Sequence, residues 1–299
     1  MTTRREFIRI AACGVATSTI GRSMAAETPS LPKLKKAVKY GMVGGKGTPK
    51  EKFELLKKLN FQGVEIDSPS GLNLNELIAA RDATGIQIHG VVDSAHWRDT
   101  LSHPDEKVRA KGLAALQTAI KDAQTVGADT ALLVPGVVNK EVSYEQCWER
   151  STAEVKKVLG DAEKAKVKIA IEVVWNGFLT KPEQLVEYVD QFKSPWVGAY
   201  FDTSNMLRYG VPAATWIRKL GKRMLKMDFK GYSAAKATPE NPGKGFGVGI
   251  GEGDEDWPEV LKACAEVGYS SWATAEVGSG DEKWLADVSA RMDKILGLK

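Results

Sequence analysis

Short apolar runs alternate with helix-like segments along most of this chain, and this alternation constrains its fold more than any other feature. The segments 53–59, 108–126 and 285–296 carry apolar residues at i, i+3 and i+4, the spacing of one helix face. Apolar strands that alternate with helices form a parallel sheet covered on both faces. Eight runs suit such strands: Val38–Val43, Gly63–Ile66, Ile86–Val92, Thr130–Val134, Lys168–Val174, Val197–Phe201, Met224–Phe229 and Trp272–Ala275.

Eight strand–helix repeats predict a (β/α)8 TIM barrel, an α/β fold, as a single domain over residues 27–299. An open doubly wound sheet is the competing fold, but no G-x-G-x-x-G follows the first run. Capping boxes predict helix starts at Thr48, Ser143, Thr180 and Ser279. The longest irregular segment, 231–256, follows the seventh run, and we expect it to cover the barrel mouth.

The first residues resemble an export signal. Thr3-Arg4-Arg5-Glu6-Phe7-Ile8-Arg9 is similar to the twin-arginine motif, an apolar stretch follows, and Ser23–Ala26 suits cleavage. We therefore expect residues 1–26 to be a twin-arginine signal and the protein to be periplasmic or otherwise exported. Without this segment the basic and acidic residues nearly balance, which disfavours a nucleic-acid partner. No later apolar run has the roughly 20 residues of a membrane span.

The last four predicted strands are consecutive, and each carries a carboxylate at or next to its end. These residues are Glu172, Asp202, Asp228 and Glu276. Each alone could cap a helix or form a salt bridge. In a TIM barrel the strand ends meet at one rim, where the chemistry of such proteins lies. Carboxylates that converge repel one another, and oxygen ligands suit a hard divalent cation. The sequence therefore predicts one divalent metal ion, Mn²⁺ or Mg²⁺, held by these four residues.

Further polar residues near the predicted strand ends are candidates for substrate binding. Glu65 could reach the site or pair with a neighbouring lysine, and His89 could bind a sugar hydroxyl or be a satisfied core histidine. His96 and Trp97 could wall the site or pack at the surface.

Three candidates lie close to the predicted metal ligands in the sequence. Lys230 stands two residues after Asp228 and would point to the same side of an extended strand. Trp175 and Asn176 follow Glu172 on its loop and could line the pocket.

Several stretches of the chain resemble one known family. FQGVEID at 61–67, IEVVWN at 171–176, YFDTSN at 200–205 and the segment 249–277 are similar to the sugar isomerase/epimerase superfamily of xylose-isomerase-like TIM barrels. Tagatose/psicose 3-epimerases, hydroxypyruvate isomerase and inosose dehydratase belong to that superfamily. The resemblance spans the chain after the predicted signal and implies the same barrel fold.

The resemblance also implies a metal site and a reaction. The family binds its metal with Glu, Asp, His and Glu, and Glu172, Asp202 and Glu276 match three of these. The two glutamates are expected to be catalytic, transferring protons on opposite faces of the substrate through an enediolate held by the metal. Asp228 replaces the family histidine, and Asn205 replaces the histidine of D-x-x-H, where we expect it to bind substrate. The substrate-binding arginine after strand seven has no clear counterpart.

These features predict a metal-dependent isomerase or epimerase of a small, non-phosphorylated sugar or keto-sugar. The same residues and metal could catalyse a dehydration, which makes a sugar dehydratase or lyase the near alternative. An exported sugar-binding barrel without catalysis is a second alternative, since Asp228 departs from the family pattern. A nuclease is disfavoured because the chain has 3 histidines and is nearly neutral after residue 26. The sequence leaves open whether the protein is a homo-oligomer.

Overall fold

The computed structural model describes residues 31–298, so the expected export signal lies outside the described residues. Eight parallel strands close into a barrel in chain order, which confirms the predicted fold. The strands are β1 (Lys35–Lys39), β2 (Gly63–Ser68), β3 (Gln87–Asp93), β4 (Thr130–Leu133), β5 (Lys168–Glu172), β6 (Val197–Asp202), β7 (Met224–Phe229) and β8 (Trp272–Ala275). Closure comes from β1, which pairs with both β2 and β8.

A helix follows each strand and covers the outside of the barrel. These helices are α1 (Pro49–Lys58), α2 (Leu74–Thr84), α3 (Glu106–Val126), α4 (Tyr144–Ala165), α5 (Pro182–Asp190), α6 (Ala213–Leu220), α7 (Trp257–Val267) and α8 (Glu282–Leu296). Short 3₁₀ helices occupy Tyr40–Met42, Asn205–Tyr209, Gly221–Arg223 and Pro242–Phe246. None of the helices within residues 31–298 is both long and apolar enough to cross a membrane.

Several predicted boundaries need correction. The first strand ends at Lys39, before most of the predicted run, because the chain turns there into a 3₁₀ helix. Capping boxes at Thr48 and Ser143 are confirmed. The prediction for Thr180 was wrong, because Pro182 takes the first helical position of α5 and makes its neighbour Lys181 the N-cap.

The fourth predicted cap was also wrong. Asp281, not Ser279, caps α8, and its carboxylate accepts a hydrogen bond from the backbone N–H of Trp284. Aspartate caps a helix as well as serine does, so the nearer residue takes the position.

Side chains alternate between two layers along the later strands. The odd-numbered residues, such as Ile169, Ile171 and Phe201, join the large core between strands and helices. Leu132, Ala170 and Tyr200 form a separate small cluster. Because side chains alternate along a strand, the even-numbered positions of β4, β5, β6 and β8, and of β7 from Lys226 onward, face the barrel interior. A register shift between β6 and β7 places Met224 in the outer core instead. The C-terminal members of these inward-facing positions contribute to the candidate functional site.

Candidate active site

Four carboxylates meet at the C-terminal mouth of the barrel, as predicted. Glu172 and Asp202 end β5 and β6, Asp228 lies in β7, and Glu276 follows β8. One carboxylate oxygen from each lies within 4.8 Å of the others. All four positions are even-numbered, so the strand alternation that builds the core also aims these side chains inward. Glu276 alone is partly exposed, at 36% of its side chain.

Two lysines lie among these carboxylates. Lys230 Nζ lies 2.7 Å from Asp202 Oδ2 and also contacts Glu276, which confirms that Lys230 points to the ligand side of its strand. Lys39, at the end of β1, contacts Glu65 and lies 3.1 Å from Asp228 Oδ2. Sequence reasoning missed Lys39, although a lysine that ends a buried run was a usable signal.

A polar layer lies directly beneath the carboxylates. The Tyr200 hydroxyl lies 3.0 Å from both Glu65 Oε2 and Asp228 Oδ1, and 3.4 Å from Thr274 Oγ1. Thr274 Oγ1 in turn lies 3.2 Å from His89 Nε2. The single hydroxyl proton of Tyr200 can be donated to only one acceptor at a time. The layer therefore links both predicted residues, Glu65 and His89, to the metal-ligand candidates.

Glu65 pairs with a lysine, one of the two roles considered for it. Its carboxylate fits beside β3 only because Gly90 has no side chain, since a Cβ there would overlap Glu65 Oε1. His89 stacks on Trp272 with ring centres 4.5 Å apart. Burial, followed by the charges of Lys226 and Lys39, lowers the pKa of His89 well below its usual value. His89 is thus neutral and sits below the carboxylates; sugar binding by either residue remains a prediction.

The electrostatics of the cluster favour an additional positive charge. Burial, followed by the charges of Glu276 and Asp228, raises the pKa of Glu172 well above its usual value. Glu172 has no ion pair with any residue in the described range 31–298. Including Glu65, five carboxylates face two ammonium groups, so full ionisation would leave an excess of negative charge that a cation would relieve.

The donor set fits a hard divalent cation. Asp228 Oδ2 and Glu276 Oε2 are buried without a hydrogen bond of good geometry, although a lysine ammonium lies near each. Opposite ligands of Mg²⁺ are about 4 Å apart, so oxygens within 4.8 Å need little movement to share one ion. All four donors are carboxylate oxygens, which suits Mg²⁺ or Mn²⁺ better than Zn²⁺.

Comparison with known proteins identifies the family of this barrel. The model of the "Xylose isomerase-like TIM barrel" family matches residues 53–295. The chain belongs to this family. The L-ribulose-5-phosphate 3-epimerase UlaE of Escherichia coli (strain K12) is 26% identical over 263 residues, covering 82% of this chain and 90% of UlaE. The putative L-ribulose-5-phosphate 3-epimerase SgbU of the same strain is 27% identical over 233 residues, covering 73% of this chain and 80% of SgbU.

Solved structures share the barrel of this xylose isomerase-like family member. The D-psicose 3-epimerase from Clostridium cellulolyticum H10, solved with D-tagatose, superposes with a TM-score of 0.72 at 22% identity, covering 89% of this chain and 99% of that one. The 3-keto-D-glucoside 4-epimerase YcjR from E. coli gives a TM-score of 0.72 at 14% identity, covering 88% and 99%. At these identities the similarity shows the fold.

Around the mouth, the family barrel carries the remaining predicted residues. Trp175 Nε1 donates to Asn205 O over 3.0 Å, and the Asn205 backbone N–H donates to Asp202 Oδ1 over 2.7 Å. The Asn176 amide donates to Gly136 O over 2.7 Å and accepts from the backbone N–H of Phe178 over 3.1 Å. Asn176 therefore holds its loop in place, and the substrate contacts of all three residues remain predictions.

The long segment 231–256 lies at this mouth. Phe246 within it packs on Trp175 with ring centres 4.8 Å apart, and Lys230 Nζ lies 5.2 Å from the centre of the Phe246 ring. The segment is tied down by Glu255, which accepts hydrogen bonds from Ser204 Oγ over 2.6 Å and from the Tyr232 backbone N–H over 2.7 Å. The segment thus lies at the mouth, and its role in covering a substrate remains a prediction.

His96 offers a neutral hydrogen-bond donor near the carboxylates. Its Nδ1 accepts from the Val134 backbone N–H over 3.3 Å, so the ring proton must be on Nε2. Burial, followed by the charge of Lys39, lowers the pKa of His96 to about 4. At neutral pH this residue can donate a hydrogen bond without adding charge.

Proposed function

We propose that this protein is a divalent-metal-dependent epimerase or isomerase of a small sugar or keto-sugar. The observation that carries the proposal is the set of four carboxylates within 4.8 Å at the barrel mouth. The relatives UlaE and SgbU are named as sugar epimerases, which supports an enzyme that acts on sugars. The single cation would be held by Glu172, Asp202, Asp228 and Glu276.

The proposed reaction moves a proton from one face of a carbon atom to the other. A bound divalent cation supplies the Lewis acidity that makes a C–H bond beside a carbonyl group acidic. Glu276 takes the proton, because its contact with Lys230 keeps the carboxylate ionised and able to accept one. Glu172, on β5, gives a proton to the same carbon from the other side. One C–H bond breaks and one forms, and exchange with water restores both glutamates.

The finer assignments extend this proposal. We infer Mn²⁺ or Mg²⁺ from the all-oxygen donor set. We infer export to the periplasm from the arginine pair Arg4-Arg5 at the start of the sequence. We infer a non-phosphorylated substrate because sugar phosphates are scarce in that compartment and the glycine-rich segment after β7 lacks the G-K-[ST] of a phosphate-binding loop. Asn205 and Lys230 are proposed to bind substrate hydroxyl or carbonyl oxygens, because both flank Asp202.

Exchange of a substrate C–H proton with solvent deuterium, followed by NMR on a panel of ketoses, tests the reaction. Glu172→Gln and Glu276→Gln should each slow exchange by roughly 10²–10⁴-fold, the usual contribution of a general acid or base. Glu145→Gln, an exposed residue on α4, is the control and should exchange like the wild type. Wild-type rates in both active-site variants would refute the assigned roles.

Metal binding and export are tested separately. Calorimetric titration of chelator-treated protein should show one site for Mn²⁺ or Mg²⁺, and a folded protein that binds neither ion would contradict the metal centre. Fractionation of cells that make the full chain should place the protein, shortened by about 26 residues, in the periplasm. Retention of uncleaved protein in the cytoplasm would contradict export.

A further inference from the structure

A cavity of 510 Å³ adjoins the carboxylate cluster and extends away from it. Lys230 and Glu276 form its inner end. Beyond them it runs between three parts of the chain: the segment after β7, the turn after β8 and the helix α8. Its size falls in the range of about 300–1,000 Å³ typical of small-ligand pockets. A group that enters this cavity can therefore be joined to a molecule whose reacting atoms lie at the carboxylates.

The side walls of the cavity are apolar and partly aromatic. Phe246 and Val248 come from the segment after β7, Val277 from the turn after β8, and Trp284 and Val288 from α8. Aromatic faces of this kind pack against rings and other amphipathic groups that have an apolar face. The walls thus suit an uncharged ring.

The positively charged side chains that line the cavity are already paired with carboxylates. Among the described residues that line it, Lys230 and Arg291 carry positive charge. Lys230 is held by Asp202 and Glu276. Arg291 lies 2.6 Å from one acidic partner, Asp287, and 2.7 Å from a second, Glu252.

These pairings disfavour an anionic substituent. Arg291 is paired with Asp287, which lines the cavity, and with Glu252, which does not, so a phosphate group would have to displace one of these carboxylates. The two side chains are 59% and 53% exposed, and solvent screening makes this cost modest. A neutral hydroxylated ring needs no such displacement, and its hydroxyls can use the remaining hydrogen-bonding capacity of the ion pairs.

We propose that this cavity is a subsite for an uncharged glycosyl ring attached to the keto-sugar that reacts at the carboxylate cluster. The inference rests on the proposed function and deepens it: the substrate class becomes a neutral glycoside of a keto-sugar. It separates this chain from its relative UlaE, whose name specifies a sugar phosphate.

Equilibrium binding to the metal-loaded protein tests the subsite without relying on turnover. Three probes share one ketose: fructose, isomaltulose, which carries a glucosyl ring on O6 of fructose, and fructose 6-phosphate, which carries a phosphate at the same oxygen. Isothermal calorimetry should show isomaltulose binding at least about tenfold tighter than fructose, a difference of about 1.4 kcal/mol. Fructose 6-phosphate should bind no tighter than fructose.

Two variants fill the cavity from different sides. Gly278 lines the cavity, a Cβ there meets no atom within 4 Å, and its backbone is outside the left-handed region, so Gly278→Leu has room to place its side chain. Val248→Phe adds bulk from the opposite segment. Gly160→Leu is the matched control, because Gly160 is an exposed residue of α4 with equally open surroundings and does not line the cavity.

The filled variants should lower the affinity for isomaltulose to that for fructose and leave fructose binding unchanged. Isomaltulose should also change the fluorescence of Trp284, an effect that Trp284→Phe removes. The subsite would be overturned if the three probes bound with equal affinity or if none bound measurably. It would also be overturned if both Gly278→Leu and Val248→Phe kept the preference for isomaltulose. If the preference holds but no C–H exchange occurs, the proposed reaction fails while the subsite stands.

Discussion

Replacing Lys39 by methionine would measure how far this ammonium group stabilises the carboxylates of the mouth. Lys39 Nζ lies 3.1 Å from Asp228 Oδ2 and also contacts Glu65. Two unit charges at this separation attract by about 5 kcal/mol at an effective dielectric constant near 20, and desolvation offsets part of that gain. Removing one partner of a buried pair usually costs about 3–5 kcal/mol. We expect a loss of this size in the free energy of unfolding of metal-free Lys39→Met at neutral pH.

The same substitution should have the opposite effect on metal affinity. Without Lys39 the cluster carries one positive charge fewer, so Mn²⁺ or Mg²⁺ should bind more tightly to the variant than to the wild type. A ligand that binds only the native state stabilises it in proportion to the logarithm of its concentration over Kd. Added metal should therefore recover more stability in Lys39→Met than it adds to the wild type.

Urea unfolding with chelator and with each metal ion gives both quantities. Lys36→Met is the control: Lys36 is a buried lysine of the same strand, lies 2.6 Å from Asp293 Oδ1, and belongs to the interface with α8. It should lose stability without changing metal affinity. The reasoning fails if metal-free Lys39→Met stays within about 0.5 kcal/mol of the wild type, the range of ordinary surface substitutions, or if its metal affinity falls.

Three further predictions concern other parts of the barrel. Burial raises the pKa of Asp93 to about 7, so between about pH 4 and pH 7 the native state binds a proton that the unfolded state has lost. The free energy of unfolding should therefore fall as the pH rises from about 4 to about 7, by at most about 4 kcal/mol. The free energy of unfolding of Asp93→Asn, measured with urea, should lack this pH dependence. The same pH dependence in the variant and the wild type would contradict the prediction. Gly90→Ala would crowd Glu65 and should lower the free energy of unfolding by about 1–3 kcal/mol. The control Gly160→Ala, in a helix, should raise it by up to about 1 kcal/mol. Equal melting temperatures of the two variants would refute the crowding. Phe246→Ala removes a contact at the mouth and should raise KM more than it lowers kcat, which steady-state kinetics on the identified sugar can check.

The alternation along the strands allowed much of the site to be predicted from the sequence. Glu172 stands out in an apolar run, and Asp202, Asp228 and Glu276 occupy equivalent places in the following strands. Strand ends of a parallel barrel share one rim, so local patterns alone predicted that these four meet. The structure brings them within 4.8 Å.

The partners of these carboxylates depended on contacts that no local pattern encodes. Lys39 reaches Asp228 only because β1 closes the barrel against β8, and Tyr200 links Glu65 to Asp228 across the interior. The cavity exists only where the segment 231–256 meets α8. The sequence by itself determined the barrel and the inward direction of the carboxylates, because strand periodicity is local. Closure and side-chain packing between distant segments determined which charges pair and where a substrate can extend.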